Sequence, residues 1–138
     1  MKTISIFFLA LIILSCSSTK ESVSNPGDLN GGWLPVKQEI GGKELPQSSF
    51  ENQRLAIVEK SFLFIAESAD EGTLTYGNGK MDIYVEVGVN AGRHFKAIYK
   101  LEDNFLTICY DLKGEDYPES FDTSVNPNLF LTTFRKEG

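Results

Sequence analysis

From Gly32 onward the sequence predicts an all-β fold, an eight-stranded antiparallel up-and-down barrel, on three observations. Short apolar or alternating stretches recur at close spacing, turn residues separate them, and no convincing amphipathic helix interrupts the series. The links are too short for parallel crossovers, which need about a dozen residues or more, so successive strands must run antiparallel. A sheet of this size with one apolar face either stacks as a sandwich or closes as a barrel, and closure removes the exposed edges.

Trp33 to Ile40 is the first strand, and Gly41-Gly42 suits a tight reversal after it. Gln47 to Asn52 has room for one helical turn. Arg54 to Val58 and Ser61 to Ser68 flank Glu59-Lys60, and Asp70-Glu71-Gly72 turns the chain into Thr73 to Tyr76. Gly77-Asn78-Gly79 supplies positive-φ residues for the next hairpin. Lys80 to Val87 alternates most cleanly, with Met81, Ile83, Val85 and Val87 opposite Lys80, Asp82, Tyr84 and Glu86. Arg93 to Leu101 repeats the pattern, setting Phe95, Ala97, Tyr99 and Leu101 against His94, Lys96, Ile98 and Lys100. Phe105 to Tyr110 and Leu129 to Lys136 complete the set, with the long irregular stretch Leu112 to Asn128 between them.

The segment before the barrel reads as an address. Lys2 supplies a positive start, Ile4 to Leu14 is apolar apart from Ser5, and Ile13-Leu14-Ser15-Cys16 resembles the lipobox cut before its cysteine. As a helix that run is only about 16 Å long, roughly half the hydrocarbon core, so removal is expected rather than a permanent span. Residues 1–15 are thus expected to be a lipoprotein signal peptide. Residues 16–31 would be a lipidated tether beginning at Cys16, and 32–138 the barrel domain. The tether is serine-rich, contains Asn25-Pro26-Gly27 and has almost no large apolar residue. Extended, it reaches about 50 Å, and as a coil roughly 20 Å. Ser17, rather than aspartate, after the cysteine resembles outer-membrane sorting in many Gram-negative systems, so the expected location is the bacterial cell envelope, on its outer membrane.

Thirteen basic against nineteen acidic side chains give a formal charge of −6, which repels phosphate backbones and makes nucleic acid an unsuitable partner. Of the two cysteines Cys16 is expected to carry lipid, which would leave Cys109, in the apolar run Leu106 to Tyr110, without an intrachain partner, and it reads as core.

Gly31-Gly32-Trp33 at the head of the first strand and Arg135 near the end of the last resemble the Gly-x-Trp motif and late arginine of the lipocalin and fatty-acid-binding superfamily. More of the chain is similar to a family of small bacterial lipocalin-like domains abundant in planctomycetes. That likeness lies in Gly42-Lys43-Glu44-Leu45-Pro46, Ala97 to Leu101, Leu106 to Cys109 and Phe134-Arg135-Lys136. The Thr-Asp-Tyr motif of true lipocalins is absent, and Tyr117 precedes Pro118 where that family favours arginine. The resemblance implies a calycin-type barrel in which Arg135 packs across Trp33 and closes the base, a contact contributing about 0.5–2 kcal/mol.

Material for catalysis is sparse, and an enzyme is not expected. His94 is the only histidine and alternates with lysines on a polar face, so it reads as a solvated side chain rather than a general base. Asp111, Glu115, Asp116, Glu119 and Asp122 lack the repeating spacing of a calcium loop and read as a solvated acidic stretch. Gly77 to Gly79 and Gly88 to Gly92 open no helix and are turns rather than phosphate cradles. No cofactor is implied.

Two functions stay open. In one, the inward residues Phe62, Phe64, Ile83, Val85, Phe95 and Tyr99 line a pocket for a small apolar ligand. In the other, aromatic rings fill the barrel, and the domain serves the envelope through its outer surface by meeting a protein partner. Phe121, with Tyr117 and Pro118, would pin the 112–128 loop across one barrel end, either as a plug or as a gate.

Overall fold

The computed structural model describes residues 28–138. Cys16 and the expected signal peptide lie outside the described residues. Nine strands follow in chain order: β1 (Gly31–Ile40), β2 (Lys43–Glu44), β3 (Arg54–Val58), β4 (Ser61–Ile65), β5 (Ala69–Gly77), β6 (Lys80–Val87), β7 (His94–Glu102), β8 (Phe105–Asp111) and β9 (Leu129–Lys136). All but β2 form a closed antiparallel barrel, in which each strand pairs with the next and β9 returns to β1. The short β2 is an extra strand, folded back on the end of β1 by Gly41-Gly42. Gln47–Ser49 and Thr123–Val125 are single 3-10 turns.

The strand ends sort the connections into two kinds. At the floor of the barrel three hairpins turn through Glu59-Lys60, Asn78-Gly79 and Asp103-Asn104. Asn78 and Gly79 take φ of 53° and 78°, the left-handed pair that a two-residue hairpin requires. At the mouth lie the longer connections, residues 41–53, 66–68, 88–93 and 112–128.

Burial concentrates at the floor. Trp33 and Leu29 are fully covered there, and the Trp33 indole Nε1 donates to the Leu29 carbonyl at 2.9 Å. Ile57, Met81, Ala97, Leu106 and Phe134 join them in the core. The folded unit therefore starts before Gly32: Leu29, expected in the tether, is a floor residue, and Gly31 already pairs with Ile57.

Two strand boundaries differ from the sequence expectation, for one reason. Asp70-Glu71-Gly72 is not a turn but part of β5, and the chain reverses earlier, at residues 66–68, where the Ala66 amide donates to the Ser68 carbonyl. The register between β5 and β6 slips at Glu71/Gly72, and a Cβ on Gly72 would stand 1.8 Å from the Tyr84 carbonyl oxygen. This glycine permits close strand approach at a bulge rather than a reversal. Val87, aligned by alternation with the inward face, lies beside that slip and is exposed.

A second bulge, between Pro35 and Lys37 opposite β9, resets the alternation of β1. Pro35 has no amide to give, and the irregularity absorbs it while leaving Val36 exposed. Trp33 and Gln38, five positions apart, consequently both end up buried.

Phe121 neither plugs nor gates an end of the barrel: the 112–128 segment starts at the mouth with Leu112, and from Tyr117 to Phe121 it straps the outer wall. Phe121 and Ile98 pack against Cys109, Leu129 and Leu131, a second apolar cluster on the outward side of the sheet. Apolar outward residues need cover, and the strap supplies it. Tyr117 donates to Asp82 Oδ2 at 2.7 Å, with Lys80 and Lys96 over its ring at 5.1 and 5.5 Å. At the far end the Thr123 hydroxyl donates to Glu39 and accepts from the Gly42 amide, both at 2.9 Å.

Candidate functional site

Between the packed floor and the mouth the barrel encloses a cavity of about 200 Å³. The inward periodicity of the strands builds its wall. β3 and β4 contribute Leu55, Ile57, Phe62 and Phe64, while Leu74, Met81, Ile83, Val85 and Phe95 come from β5 to β7. Ile108, Phe130 and Phe134 complete the apolar lining from β8 and β9. An apolar cavity of about 150 Å³ accepts a benzene-sized molecule, so this one has room for about eight to ten non-hydrogen atoms. Larger binding pockets run to about 300–1,000 Å³.

Polar groups lie on one wall and at the mouth. Gln38 of β1 and Thr132 of β9 are in register and buried, and the Gln38 amide donates to Thr132 Oγ1 at 3.4 Å and to Gln53 Oε1 at 2.7 Å. Tyr110 of β8, opposite Phe130, lines the same space, its ring 5.4 Å from those of Phe95 and Phe130. Burial pushes its phenol up to about 12, with Arg93 acting in the opposite direction, so it stays a neutral hydroxyl. At the mouth, Arg93 lays its guanidinium 4.4 Å from the Phe95 ring centroid and donates to the Leu112 carbonyl. Asp70 accepts from the Asn90 side chain at 2.7 Å, which fastens the 88–93 loop to the start of β5.

Five of the six residues expected to line a pocket, Phe62, Phe64, Ile83, Val85 and Phe95, meet around this space. Tyr99 does not line it. It packs edge-on against Tyr76 near the floor, ring centroids 5.8 Å apart, because its position on β7 lies two inward steps below Phe95. Tyr76 and Tyr99 thus pack beside Trp33 at the floor, while Phe95, Tyr110 and Phe130 pack together in the wall of the cavity.

Trp33 sits where barrel closure needs it, but Arg135 does not cover it. Arg135 follows the inward Phe134, so alternation turns it out to solvent. The cation over the Trp33 ring is the next residue, Lys136, whose Nζ lies 5.6 Å from the centroid.

Sequence reasoning missed Gln38, Thr132 and Tyr110. The bulge at Pro35 shifts Gln38 inward without any trace in the alternation, and β8 and β9 are apolar on both faces, which hides their inward side. His94 also differs from expectation. Its Nε2 donates to Asp82 Oδ1 at 2.6 Å and its ring stacks on Tyr84, so it is a bonded member of the outer wall rather than a solvated side chain.

Cys109 is buried under the strap, and burial followed by the charge of Glu39 pushes its thiol up to about 11. Among the described residues no group of three or more His, Cys, Asp or Glu side chains could hold a metal ion, and no helix is long and apolar enough to cross a membrane. Comparison with protein-family models, curated proteins and solved structures finds no match to this chain.

Proposed function

We propose that the chain is a lipid-anchored envelope lipoprotein whose lipocalin-like barrel binds one small, largely apolar molecule and carries out no catalysis. The observation that carries the binding reading is the cavity of about 200 Å³, which reaches the mouth loops above a floor sealed by Leu29 and Trp33. A barrel selected only as a rigid body gains from filling such a space, since empty volume costs stability at about 24 cal/mol per Å³. The anchor rests on the lipobox-like Ile13 to Cys16, and family membership on the motifs around Trp33 and in the last two strands.

Toluene is a fitting probe. Saturable shifts of the Ile57, Ile83 and Val85 methyl resonances on its addition support binding in the barrel. No saturable shift, together with an empty native mass spectrum, defeats the proposal. For the anchor, Cys16→Ser should abolish palmitate labelling and membrane retention, and unaffected retention would contradict lipidation there.

A further inference from the structure

The polar groups inside the barrel limit the chemistry of an occupant. Gln38 and Thr132 are more than nine-tenths buried, and with Tyr110 they are the polar side chains of a lining otherwise apolar below the mouth. Thr132 Oγ1 accepts from the Gln38 amide, which leaves the threonine its own proton to donate. Tyr110 is half-buried and lines the cavity, its accessible hydroxyl making no hydrogen bond among the described residues. An occupant takes water away from these groups, at about 1–3 kcal/mol for each left without a partner, so a ligand that bonds to them gains over one that does not.

All three groups are neutral. Arg93, the cation at the mouth, is already stacked on Phe95 and bonded to the Leu112 carbonyl, and the Asp70 carboxylate lines the same mouth. An anionic head drawn inside would lose its hydration without meeting an unengaged cation.

Building on the ligand-binding proposal, we infer that the cavity selects a neutral amphiphile of about eight to ten non-hydrogen atoms, an apolar body carrying one hydroxyl or carbonyl, and discriminates against carboxylates. The apolar body lies against Leu74, Met81 and Ile83, and the polar group meets Gln38, Thr132 and Tyr110.

Octan-1-ol and octanoate have nearly the same body and differ in charge at pH 7.5. Calorimetric titration of the purified full chain in detergent-free buffer should give saturable binding of octan-1-ol, with octanoate at least tenfold weaker. Tyr110→Phe combined with Thr132→Val should weaken octan-1-ol about tenfold while toluene, which makes no hydrogen bond, keeps its affinity. Octanoate binding as tightly as the alcohol would overturn the inference and leave the cavity proposal standing, as would toluene binding without octan-1-ol. No binding of any probe defeats both. Should the double variant fail to fold, the ratio of alcohol to carboxylate affinity in the native chain decides alone.

Discussion

Leu29 and Arg135 show how much a residue's role depends on one step of alternation. Leu29 was indistinguishable from tether in sequence, yet it is fully buried against Trp33, and Leu29→Ala should cost about 2–5 kcal/mol in denaturant unfolding. Arg135 carries the family likeness but points to solvent, so Arg135→Ala should change stability by no more than about 0.5 kcal/mol. A comparable loss in both variants would return the closing role to the arginine. The aromatic half of the Gly-x-Trp resemblance was legible because a lone tryptophan beside glycines at a strand start has few other uses. The cationic half was off by one position, since only the register of β9 decides which of two adjacent basic residues faces the ring.

At the scale of elements, the strap is held by a chain of three groups, His94 to Asp82 to Tyr117. Burial pushes the Asp82 carboxyl up, but hydrogen bonds from Tyr117 and His94, and the charges of His94 and Lys96, outweigh it and hold the group below its ordinary range. Tyr117 moves the other way, raised by its hydrogen bond to Asp82, then by burial and that carboxylate's charge. The contribution of Asp82 is complete above about pH 4 and is lost as pH falls through its lowered value. That of Tyr117 is complete below about pH 10 and is lost as pH rises through its raised value. Hydrogen exchange in residues 115–122, relative to the barrel strands, should therefore be slowest between these limits and rise on either side. Tyr117→Phe should raise exchange at pH 7 and flatten both limbs, and an unchanged profile would show that the hydroxyl does not hold the strap.

Phe121 supplies the apolar end of the same element. Phe121→Ala uncovers Cys109, whose alkylation at pH 8 should accelerate at least tenfold, whereas the native thiol, buried and raised to about 11, stays nearly inert. Equal rates would mean that Cys109 is shielded by the sheet alone. Strand positions were legible because the alternation in β6 and β7 is nearly unbroken. The strap was legible only as a long loop with an aromatic anchor. The clue to its place was Ile98, the apolar member of the outward face His94, Lys96, Ile98, Lys100, which marks a patch of wall that something must cover.

For the whole molecule, the sequence held closure and strand number in its hairpin spacing, but not the fate of the interior. Whether inward rings meet or leave a gap depends on shear, bulges and rotamers, and the bulge at Pro35 alone exchanges one inward residue for another. The space itself makes a prediction. Val85→Phe directs added volume into it, so toluene binding should fall at least tenfold while the melting temperature holds or rises. A lowered melting temperature with binding retained would mean that the side chain had turned away from the cavity.

The position of Leu29 has a mechanical corollary. Tension transmitted along the polypeptide from an anchor upstream reaches the barrel first at this residue, at its buried side chain and at the bond its carbonyl accepts from the Trp33 indole, not at a β ladder. Pulling would draw the seal out of the floor before loading the β1–β9 pairing, whose register extends from Trp33 to Ile40. A chain tethered from that end thus has a sacrificial link ahead of its wall, and a brief tug could loosen the base while the strands stay zipped.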